Sequence, residues 1–208
     1  MRKSRGKVTT RTALPDAVRR VMEQAGIARS RDLERLGTSR VQLRRLVERG
    51  ALERVGRGLY RLPGAPVTER QHFAEAALRV PGGVICLLSA LRFHGLTTQN
   101  PFEVWMAIDL KAWRPKGGHP PIRLCYLSGP ALAKGMEEHD VSGVVVRVYG
   151  AAKTVADCFK FRNKIGIDVA VEALRSYRKT FRNGLEPLWK FAEMDRVARV
   201  IRPYLEAG

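Results

Sequence analysis

The stretch SRDLERLGTSRVQLRRLVERGALERVGRGLYRL, residues 30–62, decides how the first part of the chain folds. Ser30 is suited to cap a short helix, Arg31 to Leu36, which Gly37 ends. Thr38 or Ser39 caps the next helix. Ser39-Arg-Val-Gln42 fits the Ser-x-x-Gln capping box, in which the two side chains satisfy one another's terminal amides. That helix runs to Arg49 and stops at Gly50, so the pair and its glycine turn read as a helix-turn-helix. Leu52 to Val55 and Leu59 to Leu62 then read as strands around Gly56-Arg57-Gly58, whose glycines supply the positive φ that a tight hairpin demands. Such a hairpin is a wing. Upstream, Val18, Val21, Met22 and Ala25 repeat at helical spacing from Leu14 onward, with Pro15 in the first turn and Gly26 as terminator. Residues 14–64 thus predict a winged helix-turn-helix domain.

Outward from this core, residues 1–13 carry Arg2, Lys3, Arg5, Lys7 and Arg11 with almost nothing apolar, which predicts a flexible basic arm. The arm imitates a transit peptide in lacking acids, but it is short and has no amphipathic helix. On the other side, Pro63-Gly-Ala-Pro66 is a turn-rich link to a second domain, residues 65–208. Its pattern predicts a helix over Glu69–Arg79 and a buried helix over Val84–His94. Strands follow at Val104–Ile108, Ile122–Leu127 and Val144–Tyr149, then helices at Lys153–Arg162, Asp168–Arg178 and Leu188–Val200. With strands first and helices last, the expected class is α+β, not a doubly wound sheet.

Charge points to the partner. The 208 residues hold 38 Lys/Arg against 20 Asp/Glu, a net charge of +18, and residues 1–64 alone hold 17 against 6. A surface of that sign attracts polyanions, nucleic acid first among them. Cys86, Cys125 and Cys158 are odd in number and widely spaced, which supports neither a disulfide framework nor a zinc site and fits a reducing cytoplasm. No apolar run approaches a membrane span. His72, His94, His119 and His139 are scattered without ligand spacing, so no metal and no cofactor is expected.

On the third helix Val41, Leu43, Leu46 and Val47 are apolar, and the last three suit packing on the first two helices. Arg40, Gln42 and Arg44 are the candidates for base edges, because Arg pairs with guanine O6 and N7 and Gln with adenine. Arg45 and Arg49, with Arg54, Arg57 and Arg61 in and beside the wing, suit phosphates. The rival is catalytic: Glu103, Asp109 and Lys111 imitate the Asp-x-Lys end of a magnesium-dependent nuclease, a pattern that a surface turn explains equally well. No other catalytic pattern is present.

These residues resemble the AbiEi antitoxins of type IV (abortive-infection) toxin-antitoxin systems and the regulators grouped with them. The resemblance is carried by Ser30-Arg-Asp-Leu, Leu46-Val-Glu-Arg-Gly50, Gly56-Arg-Gly-Leu-Tyr60 and Val84-Ile-Cys-Leu-Leu-Ser-Ala-Leu91. It continues through His94-Gly-Leu96, Glu103-Val-Trp-Met-Ala-Ile108, Ala152-Lys-Thr-Val-Ala-Asp-Cys-Phe159 and Arg162-Asn-Lys-Ile-Gly-Ile-Asp168. It implies an autorepressor that binds double-stranded DNA at its own promoter, inverted repeats included, through Arg40, Gln42, Arg44, Arg45 and Arg57. It further implies a second domain that neutralises a nucleotidyltransferase-like toxin, with Lys153, Thr154 and Asp157 in the best-marked segment. A stand-alone regulator without a toxin is the alternative. Lys153 and Asp157 also have the spacing of a simple helix ion pair, worth a few tenths of a kcal/mol. Ile108-Asp-Leu-Lys111 stands where the family has a basic or prolyl stretch, which keeps the nuclease reading open.

Overall fold

A computed structural model describes residues 14–56, 58–64, 70–112, 117–141, 143–181 and 184–206. The chain divides into two compact units between Val67 and Thr68. The basic arm at 1–13, Arg57, the link from 65 and the start of the helix expected at 69 lie outside the described residues, as does part of the connection after Trp113.

The first unit runs α1 (Asp16–Ala25), β1 (Ile27–Arg29), α2 (Ser30–Arg35), α3 (Arg40–Glu48), β2 (Glu53–Gly56) and β3 (Leu59–Arg61). Gly26, at φ 64°, ends α1 where an L side chain would be strained. Val18 and Met22 of α1, Leu33 of α2, and Leu43 and Leu46 of α3 turn inward to meet Ala28 and Leu52. Full burial of such side chains contributes about 1.5–3 kcal/mol each.

Two features depart from the sequence reading. The strand β1 was not expected: three residues are too few to show alternation, yet Ile27, Ala28 and Arg29 pair with Arg61, Tyr60 and Leu59, placing β3 between β1 and β2. In consequence Ser30 does not cap α2. Arg29 holds the cap position with no side-chain bond, and the Ser30 N–H continues the β1 ladder by donating to the Gly58 carbonyl at 2.8 Å.

In the second unit the elements are α4 (Gln71–Arg79), β4 (Val84–Ile85), α5 (Leu87–Phe93), β5 (Val104–Asp109), β6 (Ile122–Leu127), α6 (Pro130–Ala133), β7 (Met136–Val141) and β8 (Val144–Tyr149). Five helices follow: α7 (Ala151–Lys160), α8 (Arg162–Ile165), α9 (Ile167–Thr180), α10 (Leu185–Met194) and α11 (Ala198–Glu206). The class is α+β. Its sheet has the order β6-β5-β4-β8-β7 and is mixed, with β5∥β6 and β4∥β8 and the remaining pairs antiparallel.

Two expectations need correction here, and one strand was not expected. Val84–His94 is not one helix: Val84 and Ile85 are the strand β4, flanked by β5 and β8, and the helix begins only at Leu87. A short apolar run reads alike as buried strand or buried helix. Met136–Val141 is a strand that the pattern hid, since Glu137, Glu138 and Asp140 leave this edge of the sheet polar, as edges should be. Finally, Leu188–Val200 breaks into two helices at Asp195-Arg196-Val197, with Arg196 at φ 59°.

Candidate nucleic-acid interface

The helix α3 begins at a complete capping box. Ser39 Oγ accepts from the Gln42 N–H at 3.3 Å, and Gln42 Oε1 accepts from the Ser39 N–H at 2.7 Å. In this structure Gln42 therefore serves the cap. To present the oxygen-and-nitrogen pair that adenine requires, Gln42 would have to give up this bond. Ser39→Ala removes the Oγ acceptor; a loss of about 1 kcal/mol in thermal unfolding is expected, with sequence preference on DNA unchanged.

At 3.6 residues per turn, Val41 lies half a turn around α3 from the buried Leu43/Leu46 stripe, and Arg44, Arg45 and Glu48 follow it at i+3, i+4 and i+7. These four make the outermost line of the helix. Val41 is 60% exposed, the Arg44 side chain 82%, and Arg45 is exposed as well.

Arg40 sits to one side of that line, where its Nε donates to Glu34 Oε1 of α2 at 2.8 Å. Arg44 Nε makes a 2.8 Å bond to Glu48 within α3. Exposed pairs of this kind exchange readily for another anion because solvent screens them.

The other cations are dispersed. Arg49 ends α3 as its C-cap residue. Arg54, exposed on β2, donates to the Gly56 carbonyl at 3.2 Å. Arg61, half-buried on β3, donates to Glu53 Oε2 at 2.7 Å and so ties the two strands together.

The residues named in the second unit behave otherwise. Lys153, Thr154 and Asp157 are all buried on α7. Lys153 Nζ donates to both carboxylate oxygens of Asp157, at 2.6 and 2.8 Å, and lies 4.5 Å from the centre of the Tyr149 ring. Thr154 Oγ1 donates to the Tyr149 carbonyl at 2.9 Å. An i, i+4 spacing alone predicts an exposed pair worth a few tenths of a kcal/mol; α7 instead turns this face into the core, and the estimate no longer applies. Close packing at Gly135 helps to seal it, since a Cβ there would stand 2.8 Å from Phe191 Cζ and 3.0 Å from Lys153 Cβ.

Next to the pair, Lys160 Nζ donates to Asp195 Oδ1 at 2.9 Å, while Asp195 Oδ2 is buried without a donor. Burial pushes the Asp157 carboxyl well above its usual range against the pull of Lys153, and Asp195 adds to the rise.

The nuclease pattern is not assembled. Glu103 precedes β5 and pairs with Arg123 at 3.5 Å, whereas Asp109 ends the strand, about 20 Å further on by strand rise. Asp109 Oδ1 accepts from the Lys111 N–H at 2.8 Å, a local turn. Among the described residues no group of three or more His, Cys, Asp or Glu could hold a metal. The structure does bring two of the scattered histidines near each other: His94 and His139 flank Phe93, with His94 Nε2 2.8 Å from the Tyr149 carbonyl. Burial lowers the His94 pKa. The three cysteines are free and buried, and no helix among the described residues is long and apolar enough to cross a membrane.

A small α+β unit with a capped, cationic helix on its surface is the kind of module with which transcriptional regulators meet nucleic acid. Residues 16–63 match the family described as "Transcriptional regulator, AbiEi antitoxin", so over this unit the chain is similar to AbiEi-type regulators, as its sequence resemblance implied. No curated protein matches the chain.

Proposed function

We propose that the first unit is a winged helix-turn-helix that lays α3 in the DNA major groove with the β2–β3 hairpin as its wing, and that the protein represses its own operon. The observation that carries this reading is the outermost line of α3, where Arg44 and Arg45 stand exposed beyond a capped N-terminus. The order α1-β1-α2-α3-β2-β3 supports it, since the sheet fixes α3 and the hairpin to one body. So does the family match over 16–63.

The second unit, in this reading, neutralises a nucleotidyltransferase-like toxin made from the same operon, and it does so through its surface, because Lys153, Thr154 and Asp157 are interior. Growth arrest by the neighbouring nucleotidyltransferase-like gene, relieved by co-expression of this chain, is the expected outcome. Arrest that persists would leave a stand-alone regulator.

The DNA-binding proposal is tested by titrating the full chain against its own upstream DNA and a scrambled duplex of equal length. A preference on the order of a thousandfold at physiological salt is expected. Equal affinities of about 10⁻⁴–10⁻⁶ M for both duplexes, falling steeply with salt, would show only the pull of +18 charges on a polyanion and would overturn specific regulation.

A further inference from the structure

We infer that Val41 is a specificity-determining residue, whose exposed side chain meets the 5-methyl group of a thymine in the major groove. This deepens the DNA-binding reading and rests on it. A single exposed apolar side chain is ordinary on a protein surface; its place on α3 is not. Leu43 and Leu46 are buried in the unit's core, while Val41, 60% exposed, sits on the opposite side of the same helix. A β-branched residue there stands outside the packed core and is a weaker helix former than the straight-chain residues around it.

The neighbours decide what covers it. Arg44 and Arg45 follow one turn on along the same line, so whatever meets Val41 also meets two cations. On the flanks, Arg40 and Gln42 each lie about 100° around the helix from Val41, Arg40 bonded to Glu34 and Gln42 to the Ser39 N–H, whereas Arg44 and Arg45 lie within about 60° of its line. Val41, Arg44 and Arg45 therefore advance furthest into a groove, where Arg44 exchanges its exposed bond to Glu48 for a contact to nucleic acid. Thymine is the base that presents a methyl group to the major groove, and an isopropyl side chain has nothing else to offer a base edge. The helix thus reads an A·T pair by apolar contact beside positions held by arginine.

The test uses the full-length protein and the duplex it enriches from a random-sequence pool, remade with deoxyuridine in place of each thymine in turn, which removes one methyl group and nothing else. Losing a buried methyl should weaken wild-type binding roughly fourfold at one thymine of each recognition element. Val41→Ala, which shortens the apolar side chain, should weaken binding to the thymine duplex and narrow its discrimination between thymine and deoxyuridine there. Its thermal midpoint should hold or rise, because alanine is the better helix former at an exposed position.

If no deoxyuridine position weakens the wild type, or if the sensitive position stays equally sensitive in Val41→Ala, the assignment is wrong while sequence-specific binding stands. Failure to enrich any sequence would remove the DNA-reading proposal itself, and this one with it.

Discussion

Lys153→Met should destabilise the second unit by about 3–5 kcal/mol, because it strands the Asp157 carboxylate in the core beside Asp195. Methionine nearly matches the lysine stem in shape, so the loss measures the missing charge and its bonds rather than a cavity. Asp157→Leu should cost a similar amount by leaving the Lys153 ammonium with only the Tyr149 ring. The informative variant is the double one. Replacing both partners removes the stranded group in each case, and Lys153→Met/Asp157→Leu should recover most of the loss. For a unit of this size each kcal/mol shifts the thermal midpoint by roughly 2–4 °C, so a single variant should fall by roughly 6–20 °C. Midpoints within 3 °C of wild type for both singles would mean that the pair is solvated. A double variant as unstable as the singles would mean that the Asp195–Lys160 side depends on the pair.

That network shows where the sequence stops being informative. Spacing makes Lys153 and Asp157 neighbours on a helix, and nothing in the spacing says which face is buried, since Lys and Asp count as polar in any periodicity. The decisive partner, Asp195, lies 38 residues further on, in the break between α10 and α11 that Arg196 makes by adopting a left-handed backbone conformation. Short strands were lost for a related reason: β1 and β4 exist because β3, β5 and β8 hold them, a tertiary fact with no local signal.

Where local chemistry sets the structure, the residues were legible. Gly26 and the Ser39/Gln42 box fix the ends of α1 and the start of α3 as their types require. On α3 the cationic surface could be read, but the ranking of its residues could not. The capping box that marks the helix is the same feature that occupies Gln42, and the contact that draws Arg40 aside comes from Glu34, on a different helix.

The ranking has a large and separable consequence. Removing both arginines of the outermost line, as Arg44→Ala/Arg45→Ala, should reduce specific DNA binding by about 2–6 kcal/mol if each holds a base edge or an equivalent phosphate contact, bringing it near the nonspecific level. Both side chains are exposed, and alanine favours the helix, so the thermal midpoint should not fall with the affinity. Salt dependence then separates the roles. An arginine on a phosphate lowers the slope of log affinity against log salt by about 0.9, whereas one that reads a base relaxes preference at its own base pair. Glu48 supplies the counter-experiment, because it holds Arg44 at 2.8 Å on the same line and presents a negative charge to the groove. Glu48→Gln should strengthen binding to all duplexes, most at low salt, and leave the preferred sequence unchanged. If Glu48→Gln has no effect while Arg40→Ala abolishes binding, α3 meets DNA on its Glu34-facing side, and the outermost line is not the reading face.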